Sequence, residues 1–231
     1  MMQAIPIYIG FDSREASAYH VCCQSIIERA TVPVAFHPLA LNLLQGYTET
    51  HQDGSNAFIY SRFLVPWLQG TGHAIYLDGD MLVRGDVAEL WALRRFDQGV
   101  QVVKHKDYET KAPLKYLGAK NENYPCKNWS SVMLWNAGFQ KNRRLTPQFI
   151  AKQSGRYLHR FEWLDDDRVG ELPATWNHLV AEYEPSDAKL YHFTLGAPCF
   201  GGEYAQQEGA WEWQRTLQNA LAPLGGPATT G

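Results

Sequence analysis

The chain has 231 residues, 45% of them apolar, with a formal net charge of −3, within the usual range for one α/β domain and enough to bury a sizeable core. No stretch approaches the roughly 20 apolar residues that a membrane-spanning helix needs, and Met1-Met2-Gln3-Ala4 lacks the basic and apolar regions of a signal peptide. Cys22 and Cys23 are adjacent while Cys126 and Cys199 stand alone, which is neither a disulfide framework nor a metal spacing; the expectation is a cytoplasmic protein with reduced thiols.

Apolar runs and helical patterns alternate from the start, the signature of strand-helix-strand units that feed a largely parallel sheet. Ile5 to Ile9 reads as a first strand ending at Gly10-Phe11-Asp12. Tyr19, Cys22, Cys23, Ile26 and Ile27 then recur at spacings of three and four, so a helix with one buried face follows, and Asp12 with Glu15 matches a capping box. A second strand is expected over residues 32–39 and an amphipathic helix over about 57–68. His73 to Leu77 reads as a short buried strand running into Asp78-Gly79-Asp80. Another helix is expected from Asp86, with Glu89 completing a second capping-box pattern.

Val100 to Val103 and Ser131 to Trp135 read as further central strands. Between Lys104 and Arg144 lie nine basic and three acidic residues, a segment too long to be a simple connection and therefore a candidate functional loop. It carries +6 within an acidic chain, a pattern of a face that meets an anion or of a solvated lysine-rich loop. With Tyr108, Tyr116, Tyr124 and Trp129 interleaved, a polyanion such as DNA is one acceptor it admits. Residues 1–218 are expected to form a single domain, and residues 219–231, rich in Gly, Pro, Ala and Thr, a flexible tail.

Asp78-Gly79-Asp80 is where chemistry concentrates. In an extended chain, residues two apart point to the same side, so both carboxylates can face one ion while Gly79 lets the backbone come close. Two carboxylates suit Mg²⁺ or Mn²⁺, which keep open positions for phosphate oxygens. The spacing alone is common, and Asp165-Asp166-Asp167 contains it again, where it also fits an acid-rich helix start. Asp78 and Asp80 differ in context: they follow a buried strand, the edge at which open α/β sheets place ligands. Asp12 stands in the same kind of position after the first strand and can serve as a cap, a nucleotide contact or both. His192 follows a short strand, Lys189-Leu190-Tyr191; taken alone, it has no assigned task.

These residues resemble the family 8 retaining glycosyltransferases, which include glycogenin-like and lipopolysaccharide galactosyltransferase-like enzymes. The likeness runs through ordered blocks: residues 7–12 resemble the strand whose end, with Gly10, Phe11 and Asp12, holds a uridine; residues 60–64 resemble the helix whose arginine, here Arg62, reaches the donor. Residues 74–83 and 86–91 resemble the metal-binding D-x-D, with Asp78, Gly79 and Asp80, and the helix after it. Residues 130–136, with Ser131, resemble the strand beside the donor sugar, and residues 164–167 followed by 172–177 resemble the segment that supplies catalytic residues, here Asp165 and Asp166. Residues 192–196 resemble the segment that gives the third metal ligand, here His192, and a donor contact at Gly196.

The resemblance implies a GT-A, Rossmann-like α/β fold with a mostly parallel central sheet flanked by helices. It also implies transfer with retention from a UDP-sugar, with Mn²⁺ or Mg²⁺ as cofactor; the acceptor is left open, a glycan or, from the basic segment, a modified base in DNA. Where the family carries a diphosphate-contacting lysine after the histidine, this chain has Ala197-Pro198-Cys199, which leaves that contact to another cation, Arg62 or Lys104. Asp166 stands where the family has glutamine, and Trp129 where it often has a sugar-facing asparagine. Two rival readings are a nucleotidyltransferase, which needs a glycine-rich basic loop that Gly10-Phe11-Asp12-Ser13 does not provide, and a non-catalytic nucleotide-sugar-binding protein, which would lack a metal ligand.

Overall fold

The computed structural model describes residues 3–222 apart from residues 53, 55, 107 and 119. Asp107 of the basic segment, the starting methionines and residues 223–231 of the expected tail therefore lie outside the described residues.

The first strand, β1 (Ile5–Gly10), runs into a 3-10 turn and helix α1 (Ala16–Ile27) before β2 (Val34–Leu39). A 3-10 turn over Ser61–Leu64 leads to the short helix α2 (Val65–Gln69), so the single helix expected over 57–68 is broken. Pro66 explains part of this, because proline is accommodated in a helix's first turn and not in its middle. Then come β3 (His73–Leu77), β4 (Met81–Val83), α3 (Val87–Ala92) and β5 (Val100–Val102). After a long segment without regular strands follow β6 (Val132–Asn136), α4 (Pro147–Ile150), α5 (Gly155–His159), β7 (Val169–Glu171), β8 (His178–Leu179), β9 (Leu190–His192) and α6 (Ala210–Leu221). Helix α6 carries residues 219–221 of the expected tail, and Asn219 donates to Glu28 on the loop after α1.

Six strands form the central sheet in the order β2-β1-β3-β6-β5-β7. All neighbours pair in parallel except β6, which runs against both β3 and β5. Within β3 the side chains alternate: Ala74 and Tyr76 pack on one face with Phe63, Trp135 and Trp163, and Ile75 and Leu77 on the other with Ile26, Val87 and Leu90. A strand covered on both faces reads as a continuous apolar run, which is why His73-Ala-Ile-Tyr-Leu77 stands out in the sequence.

A second sheet of three strands, β4-β9-β8, packs with α1 and α6 around Leu82, Tyr191, Phe193 and Trp213. The two sheets meet at residues 78–80. The Asp78 amide donates to the Ser131 carbonyl at the start of β6, while the Phe193 amide donates to the Asp80 carbonyl from the end of β9. Gly79 occupies the join, and a Cβ there would stand 2.4 Å from the Gly10 carbonyl oxygen at the end of β1. Backbone cannot yield as a flexible side chain does, so Gly79→Ala is expected to cost about 1–3 kcal/mol, the range for overpacking. Urea unfolding should show a lower midpoint at unchanged slope; an unaltered midpoint would contradict the close packing of β1 on this turn.

Candidate active site

Asp78 and Asp80 stand on a turn between β3 and β4, not on an extended chain as their spacing suggests. The turn still brings them together, and the second sheet adds the third group. Met81 of β4 pairs across the ladder with His192 of β9, so one pairing fixes the imidazole beside the acids. Ligand atoms of Asp78, Asp80 and His192 all lie within 4.8 Å of one another, with His192 Nε2 3.4 Å from Asp80 Oδ1 and 3.9 Å from Asp78 Oδ2.

The surrounding hydrogen bonds decide which imidazole nitrogen faces the acids. Asn177 Nδ2 donates to Ser131 Oγ at 2.8 Å and to His105 Nε2 at 3.0 Å, which turns its carbonyl oxygen towards His192 Nδ1 at 3.1 Å. Nδ1 therefore carries the proton and Nε2 presents a lone pair. Burial holds the His192 pKa down to about 3 against the pull of Asp78, so the ring is neutral near pH 7. Asp80 Oδ1 is buried and accepts no hydrogen bond. Converging lone pairs with an orphaned carboxylate oxygen are what a divalent cation satisfies, and two carboxylates with one imidazole suit Mn²⁺ or Mg²⁺.

Asp78 is held differently. Tyr76 donates to its Oδ1 at 2.6 Å, and the buried Arg62 guanidinium lies 2.8 Å from the same oxygen. Arg62 also donates to the Ser130 carbonyl at 3.0 Å and to the Phe58 carbonyl at 3.3 Å. Burial raises the carboxyl pKa of both Asp78 and Asp80, an effect that Arg62 opposes at Asp78 and Lys115 at Asp80.

Two further groups were hidden in the sequence. Lys115, from the long basic segment, donates through Nζ to Thr194 Oγ1 at 3.0 Å, and its burial, which lowers its pKa, is offset by attraction to Asp80 and Asp78. Lys115 is thus the additional cation at the acids, whereas Lys104 instead lies 5.4 Å from the centre of the Trp129 ring. Glu15 is the second. Asp12 does cap the turn after β1, accepting from the Arg14 amide at 3.0 Å, but the Glu15 side chain leaves the expected capping box. It turns inward to accept from Tyr116 Oη at 3.2 Å, and burial beside Asp80 and Asp12 pushes its pKa up to about 9.

Three cavities meet along this edge, all touching Ile59. A narrow one is lined by Arg62, Asp78, Asp80, Lys115, Ser131 and His192. One of about 380 Å³ extends past Asp12 and Arg14, and one of about 600 Å³ past Lys120, Lys127 and Arg160. Gly10 and Phe11 end β1 next to Asp12, with Phe11 edge-on to Tyr19, and Ser131 braces Asn177. Gly196 packs against Tyr204 and Tyr116 just beyond Thr194. Asp165 and Asp166 are exposed and line none of these cavities; Asp165 accepts from Lys141 at 2.5 Å, and Asp166 lies near Cys126 with Arg160 and Lys104.

The basic segment does not form a continuous strip for a polynucleotide. Lys106, Lys111 and Lys141 face Glu171, Glu184 and Asp165, Tyr116 is buried against Phe200 and Glu15, and Tyr108 is tucked against His105 and Tyr183. The expectation of a DNA acceptor is accordingly set aside. No helix among the described residues is long and apolar enough to cross a membrane.

Fold and site together define a glycosyltransferase of GT-A architecture. A model of glycosyl transferase family 8 matches residues 16–156, and the chain belongs to that family. It is 39% identical over 205 residues to Protein CDI of Arabidopsis thaliana, covering 84% of this chain and 79% of that protein. Its fold is similar to that of the apo bifunctional glycosyltransferase WbbM, with a TM-score of 0.64 at 14% identity over 95% of this chain; the chain spans 50% of that protein. It is also similar to the galactosyltransferase LgtC, solved with donor and acceptor sugar analogues, with a TM-score of 0.56 at 13% identity, covering 97% of this chain and 98% of that one.

Two measurements probe this geometry. Outer-shell partners of metal-bound histidines contribute about 10- to 100-fold in affinity, so Asn177→Ala should weaken Mn²⁺ binding by that factor in calorimetric titration; equal affinity would remove Asn177 from its orienting role. Glu15, protonated in the fold up to about pH 9 and ordinary when unfolded, binds more protons folded than unfolded, so its stabilising contribution is lost as pH rises from about 4.5 towards 9. In metal-free protein Glu15→Gln should therefore flatten the pH profile and melt a few degrees higher at pH 8. Parallel profiles for the two proteins would refute it.

Proposed function

We propose that the chain is a metal-dependent retaining glycosyltransferase that takes a sugar from a UDP-sugar. The carrying observation is the cluster of Asp78, Asp80 and His192, with Nε2 and an unpartnered Asp80 oxygen turned towards each other. These residues would hold Mn²⁺ or Mg²⁺, and the ion when bound supplies charge neutralisation for a departing diphosphate. Gly10, Phe11 and Asp12 would receive the nucleoside in the cavity of about 380 Å³ that Asp12 lines. Gly79 and Gly196 keep backbone near the diphosphate, with Ser131 below the sugar.

Lys115 takes the place of the missing downstream lysine. Its ammonium already lies within attraction of both acids, and a fixed cation where charge develops lowers the barrier more than one that must be recruited. Arg62 is committed to Asp78 and two carbonyls, so its part is to keep that carboxylate ionised and aimed. In the reaction the bond from anomeric carbon to diphosphate oxygen breaks and its electron pair leaves with the diphosphate. An acceptor hydroxyl forms the new bond on the same face, and its proton passes to the departing oxygen. Asp166, with Asp165 beside it, serves this step by steadying the cationic transition state; in the alternative, Asp166 itself bonds the anomeric carbon as the diphosphate leaves, and the acceptor oxygen then displaces the carboxylate while giving its proton to the released diphosphate. For this role the exposed Asp166 would have to move towards the sugar as the substrates bind.

A screen of nucleotide sugars with Mn²⁺, read out as donor hydrolysis and thermal stabilisation, should single out a UDP-sugar, with activity lost in a chelator. Asp80→Asn should lower turnover by about 100-fold or more, corresponding to several kcal/mol of lost charge stabilisation. Chelator-resistant transfer, or product of inverted anomeric configuration by NMR, would refute the reading. Asp166→Asn should leave donor affinity intact and abolish transfer; undiminished transfer would take Asp166 out of the mechanism.

A further inference from the structure

The cavity of about 600 Å³ beside the metal cluster is more basic than a nucleotide-sugar donor requires. Among the described residues, Lys115, Lys120, Lys127, Arg156 and Arg160 line it, against one carboxylate, Glu122. Lys115 is shared with the narrow cavity at the acids, together with Ile59, Tyr124 and His159, so it is available to the donor diphosphate. The other four cations line the larger space and not the narrow one.

Among the described residues none of these cations except Arg156 has a carboxylate in direct contact. Lys120 and Arg160 make no ion pair among the described residues, and Arg156 reaches Glu162 at 3.7 Å with both side chains well exposed. Lys127 donates to Asn121 Oδ1 at 2.5 Å and to the Glu122 carbonyl at 2.7 Å, both neutral acceptors, while Glu182 and Glu122 attract its charge from farther away. Burial and the nearby Lys115 bring its pKa down to about 8, the penalty of gathering like charges around one space. His159 on the same wall stays neutral, held by burial to about 3.

The place of this space in the trough says which substrate meets the charges. The nucleoside end points past Asp12 and the diphosphate sits at the cluster, so the anomeric carbon falls at the junction and the transferred sugar and acceptor share what lies beyond. A volume of about 600 Å³ suits small-molecule ligands. We propose that the acceptor is a small hydroxylated molecule carrying a phosphate or carboxylate group, gripped by Lys120 and Arg160 so that one of its hydroxyls faces the anomeric carbon. This rests on the sugar-transfer reading; the anionic group is a handle, and the bonds made and broken are those already described.

The test uses the full chain with Mn²⁺ and matched acceptors: glucose, glucose 6-phosphate and glucuronate. Calorimetric titration into UDP-loaded protein, in which the diphosphate position is already filled, should show at least about tenfold tighter binding of the charged sugars than of glucose, as expected for charge-assisted hydrogen bonds. Glucose 6-phosphate against glucuronate tells a phosphate handle from a carboxylate one. Lys120→Ala and Arg160→Ala should each shrink the charged-to-neutral ratio, and Arg160→Lys should restore part of it. Equal binding of charged and neutral sugars, or variants that weaken both alike, would overturn the acceptor inference. Absence of UDP-sugar hydrolysis by the wild-type protein would instead overturn the reading beneath it.

Discussion

The arrangement turns on the cost of placing Asp78 and Asp80 side by side and out of water. Each is almost wholly buried, and two desolvated carboxylates repel while losing hydration, a combination tolerated when other charges or hydrogen bonds compensate. Asp78 is compensated from within by Arg62 and Tyr76. Asp80 has an oxygen with no partner and faces a neutral imidazole. The imbalance between the two acids is informative: a purely structural ion-pair network would have supplied a donor to both. One acid is fixed by the protein, and the other keeps an unpartnered oxygen, as the proposed ion would require.

That arrangement depends on topology more than on local sequence. The reversal of β6 places the start of that strand, with Ser130 and Ser131, at the same edge as the end of β3, so the Ser130 carbonyl is at hand to hold Arg62 and Ser131 to brace Asn177. The second sheet begins at β4 immediately after Asp80, and its pairing with β9 delivers His192. Gly79 permits the turn between the sheets because the Gly10 carbonyl lies against it. The end of β1, the turn and the end of β9 thus converge through backbone contacts, and the site's precision comes from sheet register, which slips far less readily than a loop conformation.

What was legible in the sequence follows from this. The buried strand over His73–Leu77 and the acids after it could be read because a doubly covered strand leaves an unbroken apolar run, and the resemblance carried the reading on to His192. Strands β4, β7 and β8 have two or three residues, too few to display a period of two, whereas β9 (Leu190–His192) reads one residue early in the sequence, over 189–191. Glu15 shows another limit. A capping-box pattern tells which bonds a side chain is able to make, and at Glu15 the buried Tyr116 hydroxyl, 101 positions away in the chain, competes successfully. Lys115 was one basic residue among nine, and no spacing distinguishes it; its place is set by the Tyr116 amide donating to the Leu195 carbonyl at 2.7 Å, a contact between distant segments.

The long segment after β5 therefore does more than connect two strands. It is tied down at both flanks of the cluster, by Tyr116 on Glu15 and Lys115 on Thr194, and farther out by Glu182, which accepts from Thr110 and the Lys111 amide. These polar anchors are joined by an apolar one, the stacking of the buried Tyr116 ring on Phe200 at 4.6 Å between ring centres. Because Lys115 borders both the narrow cavity at the acids and the larger basic one, this one segment forms a wall of both. Under the proposed reading the two substrates share this wall, and by linkage whatever effect one has on the affinity of the other is returned in equal measure.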